Sequence, residues 1–299
     1  MYPYRLGRQR LIDNVLFSAG WVFLNTLKGV YCPYSKWRGA FTSLPNAMIS
    51  EKIRFDNGRG QILTGRLDRA EDGPSDTVAL FAHCFTCTKN LKAIANISKA
   101  LVHEGITVLR FDFTGLGESE GDFEETNFTS NTEDLIAASR YLGEAYRPPK
   151  LLIGHSLGGA AVLQAAGSIE SSRAVATIAA PCEPGHLKEL LKVDDETLRS
   201  KGEVEINIGG RPFRMKKQFF DDLNRRGMDF KIHNLKKALL ILHSPADSIV
   251  SIDNAAHIFQ AARHPKSFIS LDRADHLLMH ESDTRYAGSV IAAWVRRYL

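Results

Sequence analysis

Leu151-Leu-Ile-Gly-His-Ser-Leu-Gly-Gly-Ala160 is the stretch whose reading decides the fold. Apolar and small residues run straight into Gly154-His155-Ser156-Leu157-Gly158, and an alanine-rich helical pattern starts at once. A strand that turns this sharply into a helix forces its central residue into a strained conformation. The residues two before and two after it must then be nearly free of side chain, which is what Gly154 and Gly158 supply. Ser156 is left standing at the tip of the turn. G-x-S-x-G alone recurs by chance, but a strand predicted over 150–154 and a helix over 157–166 give it the context of a nucleophile elbow.

Outward from the elbow, strand and helix patterns alternate. Residues 52–56 and 61–68 flank Asn57-Gly58-Arg59-Gly60 and read as a hairpin. Strands are predicted over 77–83, 107–111, 174–179, 238–243 and 267–271, with helices over 91–102, 132–142, 254–262 and 284–298. Strands separated by helices of about ten residues imply an α/β fold, a mostly parallel sheet with helices on both faces. Ligands in such sheets bind beyond the carboxyl ends of the strands.

A serine hydroxyl needs a base to take its proton and a third group to orient that base. The order serine, acid, histidine is met by Ser156 as nucleophile, Asp247 in the loop after strand 238–243, and His276 after the last strand. Asp275 is the first substitute for the acid, and Asp272 and Asp275 have the simpler reading of turn caps. Two backbone donors must also face the oxygen of a tetrahedral intermediate. Leu157 N–H follows the nucleophile, and Phe85 N–H, in the loop after strand 77–83, is the expected second donor. Losing one such donor costs about 3 to 4 kcal/mol in the transition state.

Over residues 51–299 the sequence resembles an α/β-hydrolase, through His83-Cys-Phe-Thr, Phe111-Asp-Phe-Thr-Gly-Leu-Gly-Glu-Ser119, the elbow, Asp247-Ser-Ile-Val and Ala274-Asp-His276. Ala82-His-Cys-Phe-Thr-Cys87 and Asn127-Phe-Thr-Ser-Asn131 resemble the hydrolase half of bacterial proteins fused to an OsmC-like domain. Feruloyl-esterase-like serine hydrolases share the layout. This chain carries His83-Cys84 where such families usually carry His-Gly. The resemblance implies hydrolysis of a carboxylic ester, or of a related acyl bond such as a thioester or amide, without a cofactor. It leaves open an OsmC-like partner domain on another chain. Superfamily members that place aspartate at the elbow, dehalogenases and epoxide hydrolases, are disfavoured by Ser156.

Between 183 and 236 the alternation lapses, and a small cap insertion is expected there. Residues 187–191 read as a short helix, and 203–215 as a hairpin about Gly209-Gly210. Phe213, Met215, Phe219 and Phe220 either roof an apolar pocket, with Phe213 and Met215 as substrate-binding candidates, or anchor the cap to the body. Arg211, Arg214, Lys216, Lys217, Arg225 and Arg226 make the region basic, as a solvated face or as a surface for an anionic substrate or membrane.

Cys84-Phe-Thr-Cys87 supports a rival reading as a thiol redox pair, against a simpler one as packing residues. A silent hydrolase fold used for partner binding is a second rival. No second ligand pair with zinc spacing accompanies the cysteines, and Gly115-Leu-Gly117 lacks the spacing and lysine of a phosphate loop.

Residues 1–50 form a basic, apolar extension. Arg5, Arg8, Arg10, Lys28, Lys36 and Arg38 face only Asp13, and the apolar run 15–24 is too short to span a bilayer. An extra helix, an organellar address or a peripheral membrane contact all fit this pattern. With 299 residues, 44% of them hydrophobic, the chain can bury one large core. A net charge of +4 without dense like-charge runs argues against nucleic acid. Four cysteines are too few for a secreted disulfide framework at this length, so a cytoplasmic location is expected.

Overall fold

A computed structural model describes residues 47–208, 210–223 and 227–299. The expectations for the N-terminal extension up to residue 46, and for Arg225 and Arg226, lie outside the described residues.

The first half of the described chain runs β1 (Met48–Asp56), β2 (Ile62–Ala70), β3 (Val78–Ala82), α1 (Lys92–His103), β4 (Thr107–Phe111), α2 (Phe128–Ala145), β5 (Leu151–His155), α3 (Leu157–Ala165) and β6 (Ala174–Ile178). It then leaves the main sheet through α4 (Leu187–Leu190), α5 (Asp195–Lys201), β7 (Glu203–Ile208), β8 (Arg211–Lys216), α6 (Lys217–Leu223) and α7 (Met228–His233). It returns through β9 (Ala238–His243), α8 (Asp253–Ala261), β10 (Lys266–Ser270) and α9 (Glu281–Val295). The sheet has eight strands in the order β1-β2-β4-β3-β5-β6-β9-β10. Only β1 with β2 and β2 with β4 pair antiparallel; the rest of the sheet is parallel.

Burial explains the sequence pattern. Strands β3 to β6 and β9 are buried along their whole length, as a sheet covered on both faces requires. Alternate residues feed two cores. Leu80, Phe111, Leu152, Val175 and Ile241 pack with Leu135 and Leu142 of α2, Val162 of α3 and Ile258 of α8. Phe81, Val108, Ile153, Ala176 and Leu240 pack on the other face with Ile94, Ile97 and Leu101 of α1 and Ile291 and Val295 of α9.

Helix α2 starts four residues earlier than its apolar periodicity predicts. The Asn127 side chain accepts from Ser130 N–H while Ser130 Oγ accepts from Asn127 N–H, so a polar run that reads as loop is a reciprocal cap. Helix α9 likewise begins at Glu281, before the expected 284. Among the described residues, no helix is long and apolar enough to cross a membrane.

Candidate active site

Strand β5 delivers Ser156 with φ 54° and ψ −126°, and its N–H donates to Ile178 O at 2.8 Å. The two elbow glycines are required by contact. A Cβ on Gly154 would stand 2.3 Å from Gly158 O, and one on Gly158 would stand 2.4 Å from His83 O and 2.6 Å from Ala82 O. Gly158 therefore does more than permit the turn. It lets α3 approach the end of β3, which brings the loop after β3 beside Ser156.

His276 bridges the other two candidates. Its Nε2 lies 3.0 Å from Ser156 Oγ and its Nδ1 lies 2.8 Å from Asp247 Oδ2. A carboxylate only accepts, so Nδ1 carries the proton and the Nε2 lone pair faces the hydroxyl. Asp247 is fixed from its own loop, because Oδ1 accepts from the N–H groups of Ile249 at 2.8 Å and Val250 at 2.9 Å. Burial alone would raise the Asp247 pKa. The hydrogen bonds from His243, His276 and Val250 N–H outweigh it and hold the carboxyl well below its usual range.

Two further histidines brace this array. His155 Nε2 donates to His276 O at 2.7 Å, and its Nδ1 is buried with no partner among the described residues. Burial, aided by the neighbouring His276, pushes its pKa down to about 4, so it is a neutral strut. His243 Nε2 donates to Val250 O at 2.8 Å and lies 3.5 Å from Asp247 Oδ2, clamping the loop that presents the acid. The sequence pattern gave His243 no role. The available signal for His243 was its place as the last strand residue before the acid loop.

The backbone N–H groups of Phe85 and Leu157 donate to no acceptor among the described residues. Asp275, the substitute acid, is instead a cap, with Oδ1 accepting from Leu277 N–H at 2.8 Å. Asp112 braces the loop after β4 by accepting from the N–H groups of Lys89 and Glu118.

A cleft of about 480 Å³ opens at Ser156, walled by Phe85, Leu157, Pro181, Leu187, Leu190, Ile249 and Val250, with His186 and Asn254 as polar neighbours. Phe213 and Met215, which the sequence left either as pocket lining or as anchors of the cap, are not among its walls. Met215 is 1% exposed in the core, and Phe213 packs edge-on against Phe123 with centroids 5.2 Å apart. The reason is alternation along β8: both side chains fall on the face turned to the body, and α4 with the acid loop walls the cleft instead. The basic run is also partnered. Arg211 donates to Thr86 O, Arg214 pairs with Glu124, Lys216 with Glu124 and Glu125, and Lys217 with Asp221. Cys84 and Cys87, left open by the sequence, are joined as a disulfide.

Comparison with known proteins identifies the family and the fold. The model of the alpha/beta hydrolase family matches residues 79–289. The crystal structure of the esterase domain from a Rhodothermus marinus protein is 51% identical, with a TM-score of 0.70 over 84% of this chain and 99% of that domain. Est1E from Butyrivibrio proteoclasticus, solved with ferulic acid bound, has a TM-score of 0.72 at 20% identity, covering 81% of this chain and 98% of its own. That second likeness is one of fold. The protein YfhR of Salmonella typhi is 25% identical over 253 residues, 84% of this chain and 81% of its own length.

Proposed function

The chain belongs to the alpha/beta hydrolase family, and from that premise we infer that it is a serine hydrolase cleaving carboxylic esters through an acyl-enzyme. The observation that carries the reading is the in-line chain from Ser156 Oγ to His276 to Asp247, set beside two unengaged N–H groups at the mouth of an apolar cleft. The 51% identity to an esterase domain supports ester over other acyl bonds.

In this reading Ser156 Oγ attacks the acyl carbon as His276 Nε2 takes its proton. Asp247 keeps Nδ1 protonated and steadies the imidazolium that forms. The N–H groups of Phe85 and Leu157 receive the developing oxyanion. His276 then returns the proton to the departing alcohol, and a water activated by the same nitrogen releases the acid. Leu187, Leu190, Ile249 and Val250 form an uncharged wall, so the acyl group is neutral and apolar. Among the described residues no cysteine lines this cleft, so in this reading the Cys84–Cys87 pair belongs to the loop and is not the reacting group.

A fluorophosphonate probe tests the assignment. Wild type is expected to label, Ser156→Ala to lose the label, and His276→Ala to label slowly. A wild type that never labels would favour a binding module. A panel of p-nitrophenyl esters is expected to show neutral acyl groups preferred over carboxylate-bearing ones of equal length.

A further inference from the structure

The loop after β3 is a small covalent ring. Cys84 and Cys87 are bonded, and inside the ring Cys87 N–H donates to Cys84 O at 3.2 Å. The same carbonyl accepts from His83 Nδ1 at 2.8 Å, while His83 Nε2 accepts from Phe113 N–H at 3.4 Å. Burial keeps that imidazole neutral. Cys84 C=O and Phe85 N–H belong to one planar trans peptide and point opposite ways. Gripping the carbonyl from one side therefore aims the N–H to the other. Next to it Thr86 sits at φ 58°, a left-handed conformation that a β-branched residue avoids when free, and Arg211 from β8 holds its carbonyl at 2.7 Å.

We propose that the Cys84–Cys87 disulfide is a positioning element of the oxyanion hole, so that the oxidised protein turns over ester and a dithiol that opens the ring slows it. The proposal rests on the hydrolase reading above. A bond closing so few residues removes little chain entropy from the unfolded state, so its main effect falls on local geometry. Opening the ring frees Thr86 to leave the left-handed region and lets the Cys84–Phe85 peptide rotate.

The chemistry balances with a dithiol as reductant. Its thiolate attacks Cys87 sulfur, the half-buried member of the pair; the disulfide breaks and Cys84 leaves as a thiolate that takes a proton. The second thiol then attacks the mixed disulfide and releases Cys87. Two electrons and two protons reach the protein, and the dithiol becomes a disulfide.

The test compares the full chain as purified with the same chain treated with dithiothreitol and desalted, assayed on one p-nitrophenyl ester. Thiols are counted in denaturant before and after reduction: Cys84 and Cys87, located by alkylation and peptide mapping, should be unreactive before it and reactive after it. Reduction is expected to lower kcat about 10²-fold with KM within about twofold, and oxidised glutathione should restore it. The Cys84→Ser, Cys87→Ser double variant should match the reduced protein and ignore dithiothreitol. Thermal midpoints separate positioning from unfolding: activity lost with the fold intact supports the proposal, and activity lost only with collapse of the midpoint overturns it. Cys84 and Cys87 reactive before reduction, or a reduced protein with unchanged kcat, would also overturn it. No turnover and no fluorophosphonate labelling in either redox state would defeat the hydrolase reading first, and this proposal with it.

Discussion

The elbow and the cap are neighbours along the chain, but opposite kinds of constraint shape them. At the elbow, backbone approaches backbone so closely that residue identity is dictated locally: neither Gly154 nor Gly158 has room for a Cβ, and Ser156 between them is held at φ 54°. In the cap, over 183–236, short helices and a hairpin take their places from what they pack on, as when Phe213 meets Phe123 edge to face and Phe219 lies tilted against the same ring. A site built this way has fixed chemistry and an adjustable wall.

The largest expected effect tests the fixed part. Asp247→Asn should lower kcat about 10⁴-fold, because an amide facing Nδ1 favours the wrong imidazole tautomer. Asp275→Asn, at a turn cap, should leave kcat within about threefold. Equal losses in the two variants would mean that the acid has been misassigned. In the same spirit, Gly158→Ala pushes a methyl against the carbonyls of Ala82 and His83 and should cost about 3 kcal/mol in urea unfolding. Gly202→Ala, in the cap with φ +75° and open space around it, should cost only about 1 kcal/mol.

The wall should respond differently. Leu190→Ala removes part of the cleft surface and should raise KM for a longer acyl ester about three- to tenfold, leaving short esters nearly unchanged. Met215→Ala should cost about 2 to 5 kcal/mol of stability without altering chain-length preference, since its side chain is buried away from the cleft. If Met215→Ala shifted the preference, the cap hairpin would be part of the pocket after all.

These contrasts follow what the sequence could express. The parallel sheet, the elbow and the three residues that meet at Ser156 were legible because strand ends with Gly, Asp or His beside apolar runs are local signals. The start of α2 was not, because Asn127 and Ser130 satisfy each other only once the helix exists. Nor was the cleft wall. Leu187 and Ile249 come from segments 62 residues apart, and only the crossing of α4 over the acid loop brings them together. Phe213 and Met215 carried the stronger apolar signal, but hydrophobicity marks burial and does not say whether a side chain is buried in a core or faces a cleft. The basic run fits its reading as a solvated face, but its partners were not legible, since Glu124 and Glu125 lie about ninety residues earlier.

The smallest expected effect concerns the struts behind the fixed part. His155 titrates near 6.5 when unfolded and at about 4 when folded, because burial opposes its charge. Between those values the unfolded chain binds more protons, so stability is fully present above pH 6.5 and is lost as pH falls toward about 4. One such group contributes a slope of at most about 1.4 kcal/mol per pH unit, and His83, also lowered by burial, adds in the same direction. His155→Gln retains a donor for His276 O but cannot titrate. Its unfolding free energy, measured by urea titration from pH 7 to pH 4, should therefore fall less steeply than that of the wild type. Parallel curves would mean that the imidazole beside Ser156 reaches solvent and takes up its proton without opposing the fold, which would place it on the adjustable side of the site.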